Sequence, residues 1–231
     1  MKKHFPNAIT CCNLISGCIA TFFAFQGDFL MATRFIVLGA VFDFFDGMTA
    51  RLLGVSSPIG KELDSLADVI TFGFAPSAMV FTLISANCTC DTTGCVSYIL
   101  PFTAFLMAAF SALRLAKFNL DERQTMGFIG LPTPANALFW TSLILRVKDM
   151  NIPYLPWIGL ALVLVSCWLL VCEIPMFALK FKSFAWKGNE TRYTFILLSA
   201  VLLIIFQWTA FSIIIPLYIL VSAGESLRGK V

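Results

Sequence analysis

The pattern of apolar and charged positions divides the chain into long runs that contain no Asp, Glu, Lys or Arg. Such runs cover residues 5–27, 69–90, 92–113, 124–145, 150–172 and 193–224. The first five are 22 or 23 residues long, and a helix needs about 20 residues to cross a hydrocarbon core about 30 Å thick. The last, at 32 residues, predicts two short helices with a break near Gln207-Trp208. A further apolar stretch, from Phe29 to about Phe45, carries Arg34 near one end and two aspartates at the other. The pattern thus predicts an all-α, polytopic transmembrane bundle of about eight spans, one integral-membrane domain over residues 1–231. The connections at Gln26–Asp28 and Lys148–Pro156 are short, and no repeat or low-complexity linker interrupts the pattern.

Composition agrees. Hydrophobic residues make up 59% of the 231 positions and charged residues only 13%, about half the charge of a soluble domain. With a mean hydropathy of +0.87, a soluble enzyme, a disordered chain and a nucleic-acid-binding domain are excluded. If the N-terminus with Lys2 and Lys3 is cytoplasmic, 13 of the 16 basic residues fall inside, leaving only Arg34, Arg146 and Lys148 outside. The bias follows the positive-inside rule, so the net charge of +3 reflects topology and anionic lipid, not nucleic acid. Met1-Lys2-Lys3 before an apolar stretch imitates a signal peptide, and Ile15-Ser16-Gly17-Cys18 imitates a lipoprotein cleavage box. The polytopic remainder favours a retained first span. Cys88, Cys90 and Cys95 share one outer loop, where an oxidising compartment would allow one disulfide, but unpaired thiols are the favoured reading. No cysteine has zinc-ligand spacing with the lone His4.

The acids are placed less evenly. Asp43, Asp46, Asp64 and Asp68 are four of the 13 acidic residues and fall within 26 positions. Spacings of three and four put each pair on one helical face, and the turn around Ser56-Ser57-Pro58 lets the two faces meet. Pairing with Arg51 and Lys61 or helix capping explains one or two such acids. Four at helical spacing, sunk into apolar segments, carry a cost that implies function. Converging carboxylates need a cation, and Mg²⁺ or Mn²⁺ prefers such oxygen ligands.

The residues between the acids read as a phosphate-ligand site. Gly47 and Ala50 keep one helix face low, Arg51 offers a planar fork to phosphate oxygens, and Gly60 leaves a hollow on the facing helix. Ser57-Pro58 reads first as an N-cap and first helical residue, although the Ser57 hydroxyl can instead meet phosphate.

Together these positions spell Asp43-x2-Asp46-Gly47-x2-Ala50-Arg51-x8-Gly60-x3-Asp64-x3-Asp68. The string resembles, position for position, the signature of the CDP-alcohol phosphatidyltransferase family. The resemblance implies that Asp43, Asp46, Asp64 and Asp68 bind two divalent cations holding the pyrophosphate of CDP-diacylglycerol, and that Asp68 is also the base on the incoming alcohol. It implies that Gly47, Ala50, Arg51 and Gly60 line the cytidine and phosphate site, that Ser57 contacts the diphosphate, and that the active site faces the cytoplasm between helices 2 and 3. Pro6-Asn7-Ala8-Ile9-Thr10-x2-Asn13 also resembles the family's opening, which places Asn7 and Thr10 near the nucleotide; helix capping by either is the alternative.

Two segments resemble the integral-membrane, serine-accepting branch of the family: Arg114-Leu115-Ala116-Lys117-Phe118-Asn119 after the fourth span, and Gly130-Leu131-Pro132-Thr133-Pro134-Ala135 before the fifth. Lys117 stands where that branch's pattern has Arg. The implied partners are CDP-diacylglycerol and L-serine, with Arg114 or Lys117 meeting the serine carboxylate and Asn119 adding a hydrogen bond. As bland alternatives, these cations and the basic loop Lys180–Arg192 are topogenic anchors. Glycerol 3-phosphate or an inositol phosphate is the alternative acceptor, and a cation transporter the remote alternative from another class. The resemblance also implies a homodimer, for which nothing in the sequence marks an interface.

Overall fold

The computed structural model describes residues 4–55, 57–88, 98–120, 128–176 and 189–227. Helix α1 spans His4–Phe25 and α2 spans Phe29–Leu53. Asp28 caps α2 by accepting from Met31 N, and Gly54 ends it at φ +61°, a left-handed geometry suited to glycine. Helix α3 (Pro58–Asp68) opens on Ser57, whose side chain accepts from Gly60 N, as the Ser-Pro pair predicts.

The chain then continues without a break through a π-helical turn, Val69–Phe74, into α4 (Ala75–Asn87). Pro76, which has no N–H to give to the carbonyl four residues back, lies just beyond the turn and accounts for its widening. A 3₁₀ segment, Leu100–Phe105, leads into α5 (Leu106–Leu120). Helices α6 (Thr133–Val147), α7 (Leu155–Val171), α8 (Glu190–Phe206) and α9 (Phe211–Leu227) complete the order.

With α3 and α4 counted as one rod, the described residues hold eight helical rods, where the charge pattern predicts about eight membrane spans. As spans they differ. Among the described residues, four segments are long and apolar enough to cross a membrane: His4–Phe25, Pro58–Asn87, Leu100–Leu120 and Glu190–Ser226. The last is folded in two. Gln207 takes φ +49°, and the Phe195 and Tyr218 rings lie 5.8 Å apart, so α8 and α9 form a hairpin about the expected break. This chain is an integral membrane protein.

Two further boundaries depart from the charge-free runs. Helix α6 begins at Thr133, not near residue 124, because Phe128–Ile129 (β1) pairs antiparallel with Pro175–Met176 (β2). Gly130, at φ +73°, donates to Ile174 O at 3.0 Å, and Leu131 N donates to Leu169 O at 2.8 Å. A side chain at Gly130 would meet the Leu170 and Cys172 carbonyls at 2.9 Å. Second, Arg114–Asn119 does not follow the fourth span but forms the last turns of α5.

Small residues bring α1, α2 and the π turn together. Asn13, Gly17, Ala20 and Ala24 are buried along one face of α1, against Ala32, Ile36 and Gly39 of α2, the close packing expected of helices in lipid. Thr71 wedges between them: a Cβ on Gly17 would come within 2.8 Å of the Thr71 Cα, and one on Gly39 within 2.9 Å of Asn13 Oδ1. Around this knot lies a core that includes Phe72, Met79, Ile84, Trp140 and Ile144, with Trp140 Nε1 donating to Ser166 Oγ at 3.0 Å. Cys88 is a free thiol; Cys90, Cys95 and residues 180–188 of the basic loop lie outside the described residues.

Candidate active site

Helices α1, α2 and α3 meet at the end of the molecule where α2 turns into α3. Asp43 and Asp46 project from the later turns of α2, and Asp64 and Asp68 from the later turns of α3. One carboxylate oxygen from each of Asp43, Asp64 and Asp68 lies within 4.8 Å of the others. Asp46 stands beside this trio but is directed to α1, where its Oδ2 accepts from Thr10 Oγ1 at 2.6 Å. Asp68 is held from the same helix: Asn13 Nδ2 donates to its Oδ1 at 3.2 Å. Thr71, one turn beyond Asp68, donates to the Asn13 carbonyl at 3.1 Å.

Both Asp46 and Asp68 are buried, and the Asp64 Oδ1 is buried without a hydrogen-bond partner. Two cations of the same turn region, Arg51 and Lys61, are engaged elsewhere. Arg51 Nε donates to Gly47 O at 3.0 Å, and Lys61 Nζ donates to Asn119 O at 2.9 Å. An all-oxygen trio with an orphaned buried oxygen fits a hard divalent cation, and Asp43, Asp64 and Asp68 can hold one. The tight group therefore has three acids where the spacing predicts four.

Beside the acids lies a cavity of about 230 Å³. Asn7, Thr10, Gly47, Ala50, Ser57 and Gly60 line it, together with Asp46 and Asp64. Asn7 and Thr10 sit inside α1, so neither caps that helix. Ser57 does both things considered for it, capping α3 and lining the cavity. Gly60 leaves little spare room, since an added Cβ would meet Ser57 Oγ at 3.0 Å and Asn7 Oδ1 at 3.1 Å. At Gly47 nothing but Arg51 Nη2, at 3.9 Å, approaches that position. Arg51 is exposed and is not among the residues that line the cavity.

Residues 3–172 match a family model described as CDP-alcohol phosphatidyltransferase. The chain belongs to the CDP-alcohol phosphatidyltransferase family. It is a transferase of phospholipid biosynthesis, and the matched region takes in α1 to α7 but not the α8–α9 hairpin. Among curated proteins it is similar to the CDP-diacylglycerol–serine O-phosphatidyltransferase of Bacillus subtilis, 38% identical over 136 residues, or 57% of this chain and 70% of that one. The protein of the same name from Methanocaldococcus jannaschii is 30% identical over 190 residues, covering 74% of this chain and 85% of the relative. That from Helicobacter pylori (strain 26695) is 36% identical over 136 residues, and the match spans about half of it, 54%.

The three acceptor candidates of this phosphatidyltransferase have separate fates. Arg114 is buried and interacts electrostatically with Asp68 and with Tyr218 of α9. Asn119 is occupied in structure: its Nδ2 donates to Ser65 Oγ at 2.8 Å while its carbonyl takes the Lys61 ammonium, so it clasps α5 to α3. Lys117 is exposed and is not among the cavity's lining residues. Sequence reasoning missed Thr71, and it missed Lys61 as a cavity residue. Gly17 and Gly39 are the only trace of Thr71 in the sequence, and Lys61 reads there as one more positive-inside charge.

Proposed function

We propose that this phosphatidyltransferase moves a phosphatidyl group from CDP-diacylglycerol to L-serine, releasing CMP, with dependence on Mg²⁺ or Mn²⁺. The trio of carboxylates at the edge of the cavity is the observation that carries the reading, and the relatives' printed names supply the acceptor. The family motif assigns the cavity, with Asn7, Thr10, Gly47, Ala50, Ser57 and Gly60, to the cytidine diphosphate, and Arg51 to a phosphate. Divalent ions at the four aspartates, two by family resemblance, would neutralise the pyrophosphate while its lipid-side phosphoryl group is transferred.

The chain's own groups do the rest. Asp68, oriented by Asn13, accepts the proton of the serine hydroxyl as that oxygen bonds to the lipid-side phosphorus. The bond from that phosphorus to the CMP oxygen breaks, and CMP leaves with the electron pair. Arg114, close to Asp68, is placed to meet the serine carboxylate, and Lys117 is the weaker candidate because of its exposure. The bilayer retains the acyl chains while the phosphates reach the acids. In this reading the N-terminus and the active site face the cytoplasm, the chain crosses the membrane several times as one domain, and two copies pair as a homodimer.

The test is incorporation of labelled serine into lipid by the purified protein. Incorporation that requires both CDP-diacylglycerol and Mg²⁺ or Mn²⁺ supports the proposal. Use of glycerol 3-phosphate or an inositol phosphate in place of serine would overturn the acceptor while leaving the family chemistry intact.

A further inference from the structure

Helices α3 and α5 are joined beside the cavity by a closed ring of hydrogen bonds. Lys61 and Ser65, four residues apart, share one face of α3, and Asp68 follows on the next turn. Across from them Asn119 is the penultimate residue of α5, where the last carbonyls of a helix have no partner within it. Lys61 Nζ donates to the Asn119 carbonyl at 2.9 Å. Asn119 Nδ2 donates to Ser65 Oγ at 2.8 Å, and Ser65 Oγ donates to the Lys61 carbonyl at 3.2 Å. The ring starts and ends on Lys61. Further along both helices, Arg114 of α5 interacts with Asp68 of α3, so the ring sits at one end of the contact that brings these two groups together.

Lys61 also belongs to the cavity, which it lines with Ser57, Gly60 and Asp64. Among the described residues that line it, Lys61 is the one cation, against the two acids Asp46 and Asp64. An ammonium carries three N–H donors and no acceptor, and among the described residues the Asn119 carbonyl is its partner. A positive charge at the C-terminal end of α5 is favoured by the helix dipole. A charge that served topology alone would turn to water. This one is turned to a helix end from the wall of an anion-sized cavity.

We propose that Lys61 couples the two substrates: its ammonium holds the end of α5 with one N–H and gives another to a phosphate oxygen of the donor. Binding of the cytidine diphosphate then fixes the helix that carries Arg114 against Asp68. Lys61 is thus a binding residue for the donor and a positioning residue for the acceptor. The inference rests on the substrate reading above and adds to it a link between the two sites. The link is reciprocal, so the acceptor tightens the donor by the factor by which the donor tightens the acceptor.

The experiment titrates CDP, the soluble head of the donor, into the detergent-solubilised full chain by calorimetry, in Mg²⁺, with and without saturating L-serine. The proteins are the wild type, Lys61→Met, Lys61→Arg and Ser65→Ala. In the wild type, serine should tighten CDP about fivefold. Lys61→Met should weaken CDP alone about three- to tenfold and abolish the effect of serine. Lys61→Arg keeps the charge and the reach and should recover the binding of CDP. Ser65→Ala opens the ring on the side away from the phosphate, so it should bind CDP alone as the wild type does and lose most of the effect of serine.

A Lys61→Met protein that binds CDP like the wild type would overturn the proposal, whatever the acceptor. So would a Ser65→Ala protein in which serine keeps its full effect, and this arm decides the matter if Lys61→Met fails to fold. A wild type that incorporates serine into lipid, yet binds CDP equally with and without it, overturns the coupling too. If glycerol 3-phosphate is incorporated and serine is not, the acceptor reading falls, and the same titrations with glycerol 3-phosphate decide the coupling by themselves.

Discussion

Thr10 Oγ1 on α1 donates to Asp46 Oδ2 on α2 at 2.6 Å, across 36 residues of sequence. The same hydroxyl lies 3.1 Å from the Pro6 carbonyl, but one proton cannot serve both, and the short carboxylate contact is the stronger. Thr10 thereby fixes the one acid of the four that stands outside the metal-sized trio. A hydrogen bond from a neutral donor to a buried charge contributes about 1.5–3 kcal/mol. Thr10→Val should therefore lower kcat/KM for CDP-diacylglycerol about ten- to a hundredfold, and Thr10→Ser should keep most of it. A Val variant with unchanged kinetics would remove Thr10 from the donor site.

Asp68 belongs to the trio and is the acid that interacts electrostatically with Arg114 of α5. Asp68→Asn keeps the size and a hydrogen-bond acceptor for Asn13 but removes the proton acceptor. It should nearly abolish turnover while binding of CDP-diacylglycerol, measured on the detergent-solubilised protein, survives. Wild-type turnover in this variant would refute its role as base.

Chelation should stop phosphatidyl transfer, and Mg²⁺ or Mn²⁺ should restore it. Because Asp64 Oδ1 is buried with no partner, Asp64→Asn should raise the metal concentration for half-maximal activity about tenfold or more. A metal titration of the variant measures this, and an unchanged midpoint would mean that Asp64 is not a ligand.

The acids were legible in the sequence because charge is scarce: in so apolar a chain, four aspartates at helical spacing have few readings. The break at Gln207 was legible for a similar reason, since 32 charge-free residues exceed one span. What charge-free runs cannot reveal is where a helix starts. Gly130 and Pro132 carry no charge, so the run from residue 124 hides the turn and strand pair that delay α6 to Thr133. Nor could spacing show that Asp46 leaves the trio for Thr10, or that Asn119 is engaged by Ser65 and Lys61. Those depend on side chains from three helices whose mutual rotation is set by Gly17, Gly39 and Thr71.

Gly60 and Gly47 make a controlled pair. A methyl at Gly60 would press on Ser57 Oγ and Asn7 Oδ1 at 3.0–3.1 Å, tight contacts on two cavity residues, so Gly60→Ala should raise the KM for CDP-diacylglycerol several-fold. At Gly47 the nearest atom is Arg51 Nη2 at 3.9 Å, and in a helix alanine is favoured over glycine by about 1 kcal/mol. Gly47→Ala should therefore keep or raise thermal stability, and any loss of activity must come from the ligand that lies there. A Gly47→Ala enzyme with an unchanged donor KM would place the nucleotide away from that face.

The knot that holds Asn13 against Asp68 can be tested through its glycines. A Cβ on Gly17 would meet the Thr71 backbone, its Cα at 2.8 Å and its N at 2.9 Å, whereas one on Gly39 would meet the Thr71 Cγ2 methyl and Asn13 Oδ1. Overpacking of this kind costs about 1–3 kcal/mol. Both Gly17→Ala and Gly39→Ala should lower the unfolding temperature in detergent and reduce turnover, because Asn13 moves with α1. Thr71→Ser keeps the hydroxyl that bonds Asn13 O and removes the methyl, so it should recover part of the loss in Gly39→Ala and none in Gly17→Ala. Equal rescue of both, or of neither, would show that Thr71 is not the wedge that sets the distance between α1, α2 and the base.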